Sequence, residues 1–204
     1  GQYDPYVDSG RLLLVAPNFV KTERALDLDV IDFRRWVNLH ELTHAVQFEA
    51  APWLADYIAS AIRTLTFALS DTSESGQRLA ATIRAFAEVV RGKEDATGLL
   101  RAVLDEESAE QFDRITAVMS LLEGHADVVM DEVGPARIPS VRRIRASFEA
   151  RRKSSSPADL LVRRLLGMEA KRAQYRNGAA FVRTVIGSAG HAGLNAVWAG
   201  PDNL

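Results

Sequence analysis

The chain has 204 residues, 47% of them apolar, with a formal net charge of −2 and an isoelectric point near 6.1. This length and apolar content can bury a sizeable core and fit one domain over residues 1–204 better than two. The charge balance gives no electrostatic footing for nucleic acid or an anionic membrane, and the absence of Cys excludes both a disulfide framework and a thiolate zinc site, which leaves His and carboxylates as metal ligands.

Arg11-Leu12-Leu13-Leu14-Val15-Ala16-Pro17 is a short apolar run stopped by Pro and Asn, and it is the one convincing strand candidate. Asp29, followed by Asp32, is placed to cap a helix whose apolar positions Phe33, Trp36, Val37, Leu39 and Val46 recur at helical spacing until Pro52. A second helix is expected from Trp53 to Leu69, followed by a polar loop from Ser70 to Gly76. A third is expected from Leu79 to Val90, closed by Gly92 and the turn-rich stretch from Lys93 to Gly98. Ser108-Ala109-Glu110-Gln111 reads as a capping box for a long, buried fourth helix with an apolar stripe through Ile115, Val118, Met119, Leu122, Ala126 and Val129. Lys153 to Ser156 reads as a surface loop, Ser156-Pro157-Ala158-Asp159 as another helix start, and the last helices run through Val185 and around Ala196. The expected fold class is mainly α with at most a small β element near the N-terminus.

No apolar run reaches the length of a membrane span, and Gly1-Gln2-Tyr3-Asp4 has none of the character of a signal peptide. A cytoplasmic location is therefore expected, in keeping with the lack of Cys. The start at Gly1 rather than Met is compatible with the C-terminal part of a longer chain.

The most informative stretch is His40-Glu41-Leu42-Thr43-His44. Two His four positions apart share one helix face, so their imidazoles can converge on a single Zn²⁺ while Glu41 projects beside the open coordination position. A catalytic zinc takes three protein ligands, so one more is needed. The metzincin pattern is excluded, because the positions three and six residues after His44 are Gln47 and Ala50 rather than Gly and His. The remaining source is Leu122-Glu123-Gly124-His125-Ala126-Asp127 in the fourth helix. Glu123 and His125 project roughly 160–200° apart on a helix, so only one of them can face the metal. Glu123 is favoured as ligand, with Asp127 one turn later as the acceptor that orients a ligating imidazole; His125 is the alternative.

HELTH followed by a distant ExxxD resembles the gluzincin metallopeptidases, the group typified by thermolysin. That resemblance implies zinc held by His40, His44 and Glu123, Glu41 as general base, and Asp127 orienting a His ligand. A longer resemblance, from Gly1-Gln2-Tyr3-Asp4 through Glu123-Gly124-His125 to Gln174-Tyr175 and Asn195-Ala196-Val197-Trp198, is to zincin-like hydrolases of actinobacteria and related bacteria, sometimes labelled as associated with biosynthesis of the deazaflavin cofactor. It implies a zincin-like helical domain. The chain departs from thermolysin-like enzymes in two ways: His44 and Glu123 lie 79 positions apart, and a single strand candidate replaces the usual sheet.

The implied reaction is amide hydrolysis by activated water, with a peptide or protein as substrate and Glu41 moving the proton. Tyr175 and His191 are candidates for the donor to the tetrahedral oxyanion. Tyr175 also fits a packing role, and His191 fits a surface turn in the glycine-interrupted stretch from Gly187 to Gly193. The arginines 137, 142, 143, 145, 151, 152, 163 and 164 with Lys153 read as a solvated helix face in preference to a grip for an anion. Two other readings of the chain are a catalytically silent zinc-binding protein that acts through a protein partner and a hydrolase of small-molecule amides. Glu41 argues against the silent site, since a structural zinc needs no base beside it.

Overall fold

In the computed structural model, which describes residues 2–8, 10–70, 104–153 and 168–204, the chain is mainly helical as expected. Strands β1 (Gln2–Asp4) and β2 (Arg11–Leu13) precede helices α1 (Ala16–Ala25), α2 (Val30–Ala50), α3 (Trp53–Ser70), α4 (Glu106–Arg137), α5 (Val141–Lys153) and α6 (Met168–Asn195). Two short 3-10 turns, Ala196–Ala199 and Pro201–Asn203, follow. The helix expected over 79–90, its flanking loops, the start at Ser156, and Arg163 and Arg164 lie outside the described residues, as do the side chains of 151–153 and of Tyr175.

The strand candidate is shorter than expected and has a partner. β1 and β2 pair antiparallel, with Gln2 opposite Leu13, Tyr3 opposite Leu12 and Asp4 opposite Arg11. The Tyr3 ring lies 5.8 Å from that of Phe48, which seats the hairpin on α2. Pro17 does more than stop the strand: it sits in the first turn of α1, where its missing N–H leaves no hydrogen bond unmade and its fixed φ favours the helix.

Helix α2 starts as its sequence predicts, with the Asp29 side chain accepting from the Asp32 N–H at 2.8 Å. Asp32 is buried and reaches across to the start of α5, where its Oδ2 accepts from both the N–H and the hydroxyl of Ser140 at 2.8 and 2.7 Å. At the head of α4 the cap is Asp105, which accepts from the Ser108 N–H at 2.8 Å, so the expected capping box lies one turn inside the helix. The α4 core is also wider than one stripe, because Leu121, Val128 and Met130 are buried beside Ile115, Val118, Leu122 and Ala126. A helix packed on several sides has no single apolar face.

Contacts from Asp32 to Ser140, His40 to Met130 and Gln47 to Leu122 show α2 running antiparallel to the α4–α5 region. Two apolar cores flank this pairing. One gathers Phe19, Leu28, Phe33, Trp36, Met130, Ile138, Val141 and Ile144, and the other Ala51, Leu54, Ile58, Val118, Leu121, Leu122, Val182 and Trp198. The polar side chains of HELTH lie on α2 between them.

Helix α6 crosses α4 at two glycines. A Cβ on Gly124 would fall 2.1 Å from the Gly178 carbonyl carbon, and one on Gly178 would fall 1.8 Å from the Ser120 oxygen. Both obstacles are backbone, so the helices would have to separate. Gly124→Ala is expected to destabilise the fold by about 1–3 kcal/mol, read from chemical denaturation; unchanged stability would mean that the crossing can relax without cost.

Candidate metal centre

The spacing of four residues puts His40 and His44 on the same side of α2, with their rings nearly perpendicular and 4.6 Å apart between centroids. Glu123 comes to them from α4. His44 Nε2 is 3.1 Å from His40 Nε2, and Glu123 Oε2 is 3.3 Å from the His40 atom and 3.6 Å from the His44 atom. Three ligands of a tetrahedral zinc at its usual bond lengths of about 2.0–2.1 Å stand about 3.3–3.4 Å from one another. The observed triangle thus has the size of one face of that tetrahedron.

Two further observations suit a cation at this triangle. Glu123 Oε2 is buried and has no hydrogen-bond partner among the described residues, a costly state for a carboxylate oxygen unless a positive charge meets it. The two Nε2 atoms face each other, while the opposite nitrogens are engaged elsewhere: His44 Nδ1 with Gln47 Oε1 at 2.8 Å, and His40 Nδ1 with the Met130 sulfur at 3.3 Å. Because the amide oxygen and the thioether can only accept, each Nδ1 carries the proton and each Nε2 presents a lone pair. Two lone pairs and an orphaned carboxylate oxygen make a donor set for zinc.

The electrostatics agree. Burial acts to lower the pKa of His44, but the Glu123 carboxylate beside its Nε2, the Gln47 amide at its Nδ1 and the charge of Glu41 leave it raised. Burial acts to raise that of Glu123, and His40 and His44 outweigh it, so the carboxyl is pushed down to about 2. Glu123 is therefore ionised in any neutral solution. Glu41, one position along α2 from His40, is buried at 6% exposure, and its charge is felt at the His44 imidazole.

His125, the alternative ligand, lies off the triangle. Its Nδ1 is 2.9 Å from Gln47 Nε2, its ring packs 5.5 Å from that of Trp198, and burial holds its pKa below the ordinary imidazole value. Asp127 is engaged away from the two His: its Oδ1 binds Arg145 Nη1 at 2.6 Å and its carbonyl accepts from Nη2 at 3.0 Å. Arg145 also pairs with Asp131 at 2.7 Å and lies 5.6 Å above the Trp36 ring. The partner of His44 is instead Gln47, an amide in the place where a carboxylate is expected. Its signal is its spacing: three residues after His44 and seven after His40, it shares their face of α2. His191 is exposed and directly follows the break of α6 at Gly190, where φ is 69°; its charge bears on His125. Of the arginines expected on a solvated face, Arg137, Arg142 and Arg143 are exposed, Arg143 pairing with Asp27, whereas Arg145 is half-buried and pairs with Asp127 and Asp131.

Among the described residues no helix is long and apolar enough to cross a membrane. No curated protein matches the chain. A crystal structure from Chloroflexus aurantiacus, described as a "putative hydrolase with a novel fold", is similar with a TM-score of 0.58 and 33% identity, over 94% of this chain and 52% of that one. The chain thus spans about half the length of that neighbour. The model of the zincin-like metallopeptidase family matches residues 1–204, with the HELTH pentad and the His40, His44 and Glu123 triangle inside the matched region, and the chain belongs to that family.

Proposed function

We propose that the protein is a zinc-dependent hydrolase, a metallopeptidase that cleaves amide bonds with Glu41 as its general base. The observation that carries this reading is the triangle of His40 Nε2, His44 Nε2 and Glu123 Oε2 at tetrahedral spacing, with Glu41 beside it on the same helix. A zinc ion held there supplies a Lewis acid that acidifies water and polarises a carbonyl.

The chain's own residues supply the rest. His40 and His44 offer neutral lone pairs and Glu123 one negative charge, so the donor set leaves a divalent ion with a net positive charge, which favours ionisation of water. Glu41 would take a proton from the attacking water and pass it to the departing amine, from a position on α2 next to His40 where it is 6% exposed. Tyr175 and His191, both on α6, are the donors we propose for the oxyanion.

Purified protein is expected to carry about one zinc per chain and to cleave a library of quenched fluorescent peptides. Chelation is expected to abolish cleavage and added zinc to restore it. Cleavage that survives complete removal of the metal would overturn the reading.

A further inference from the structure

Gln47 is 1% exposed, among the most buried polar side chains of the described residues, and both ends of its amide are engaged. Its Oε1 lies 2.8 Å from His44 Nδ1, and its Nε2 donates to the Leu122 carbonyl at 2.9 Å and lies 2.9 Å from His125 Nδ1. The Leu122 bond fixes which end of the amide is nitrogen, since a carbonyl only accepts. The end facing His44 is then the oxygen, which requires a proton on His44 Nδ1. The second amide proton goes to His125 Nδ1, which places the proton of neutral His125 on Nε2.

We propose that Gln47 is a positioning residue for the metal centre: one amide sets the tautomer of His44 and ties that imidazole to the α4 backbone at the residue before Glu123. This rests on the metal-centre reading above. His44 comes from α2 and Glu123 from α4, and Gln47 joins the two helices beside the ligands through a bond to Leu122 that no ligand makes. A rotation of α4 that moved Glu123 away from the His pair would break this bond as well.

The chemistry of the side chain explains why an amide serves where a carboxylate often does. A carboxylate at position 47 could accept from His44, but it would set an anion against the Leu122 carbonyl, which can only accept, in a place closed to water. The amide accepts on one side and donates twice on the other. It also adds no charge, so the three ligands alone set the charge of the centre.

Three proteins test this: wild type, Gln47→Leu and Gln47→Glu, with circular dichroism to confirm folding. The first readout is the tautomer of His44 in zinc-free protein, from long-range ¹H–¹⁵N correlation of the imidazole nitrogens above their titration range. The second is zinc affinity by competition with a chromogenic chelator. Wild type is expected to show His44 protonated at Nδ1. Gln47→Leu is expected to lose that single tautomer and to bind zinc about 10–100-fold more weakly, with stoichiometry kept at saturation. Gln47→Glu is expected to keep the Nδ1 proton and still bind more weakly than wild type, because its bond to Leu122 is lost. Wild-type His44 protonated at Nε2 would overturn the proposal even if neither variant folds, and so would a folded Gln47→Leu protein with wild-type zinc affinity. A wild type that binds no zinc while His44 shows the Nδ1 proton would overturn the metal-centre reading instead, and with it the proposed positioning role.

Discussion

Glu41→Gln is expected to leave about one zinc per chain in place and to lower turnover on any peptide the wild type cleaves by about 10²- to 10⁴-fold. The amide has the size and reach of the carboxylate, so the buried space it occupies is kept. It cannot accept the proton of the attacking water or return it to the leaving amine. Zinc content should be unaffected because the three clustered ligand atoms belong to His40, His44 and Glu123. The measurements are metal analysis and kcat on one peptide, made on the same preparations. Equal turnover would remove Glu41 from the mechanism, and loss of zinc together with activity would make it part of the metal's surroundings. One secondary effect has a known sign. The Glu41 charge acts to raise the pKa of His44, so the amide variant should give a slightly lower imidazole pKa in zinc-free protein.

Much of the site can be read in the sequence because helices carry regular spacing into space. His40 and His44 meet because four residues make about one turn, and Asp29 caps the helix because its side chain reaches the N–H of Asp32. Glu123 is legible as a carboxylate on a buried helix, although no rule of spacing relates it to residues 79 positions earlier. What the sequence does not show is of two kinds. Three-residue strands are too short to display a period, so β1 carries no signal, and Pro17 can end a strand or begin a helix with equal chemical sense. Partner choice is the other kind. Asp127 is a reasonable acceptor for a ligating imidazole until Arg145, from a helix later in the chain, pairs with it at 2.6 Å. Gln47 acquires its role only when α4 brings Leu122 and His125 to it.

The setting of the triangle also bears on stability. Ionisable groups placed between two apolar cores lose hydration without regaining it in full, as the orphaned Glu123 oxygen shows. Zinc that binds the folded chain alone should therefore raise its melting temperature with metal concentration.

The largest loss of metal is expected from His40→Ala combined with His44→Ala. Two of three ligands are then gone and Glu123 alone remains, so the variant should hold no zinc through gel filtration, and its melting temperature should no longer respond to the ion. Single substitutions divide the neighbouring residues by role. Glu123→Ala removes a ligand and should weaken zinc binding beyond the about 10–100-fold typical of outer partners. His125→Ala leaves the triangle intact and removes an acceptor from Gln47, so its effect should stay within that range. The two singles differ because Glu123 Oε2 faces both imidazoles at 3.3 and 3.6 Å, whereas His125 is linked to His44 through the Gln47 amide. Competition titrations with a chelator give the order directly. A greater loss with His125→Ala than with Glu123→Ala would reverse the ligand assignment, and unchanged zinc in the double His variant would place the ion elsewhere on the chain.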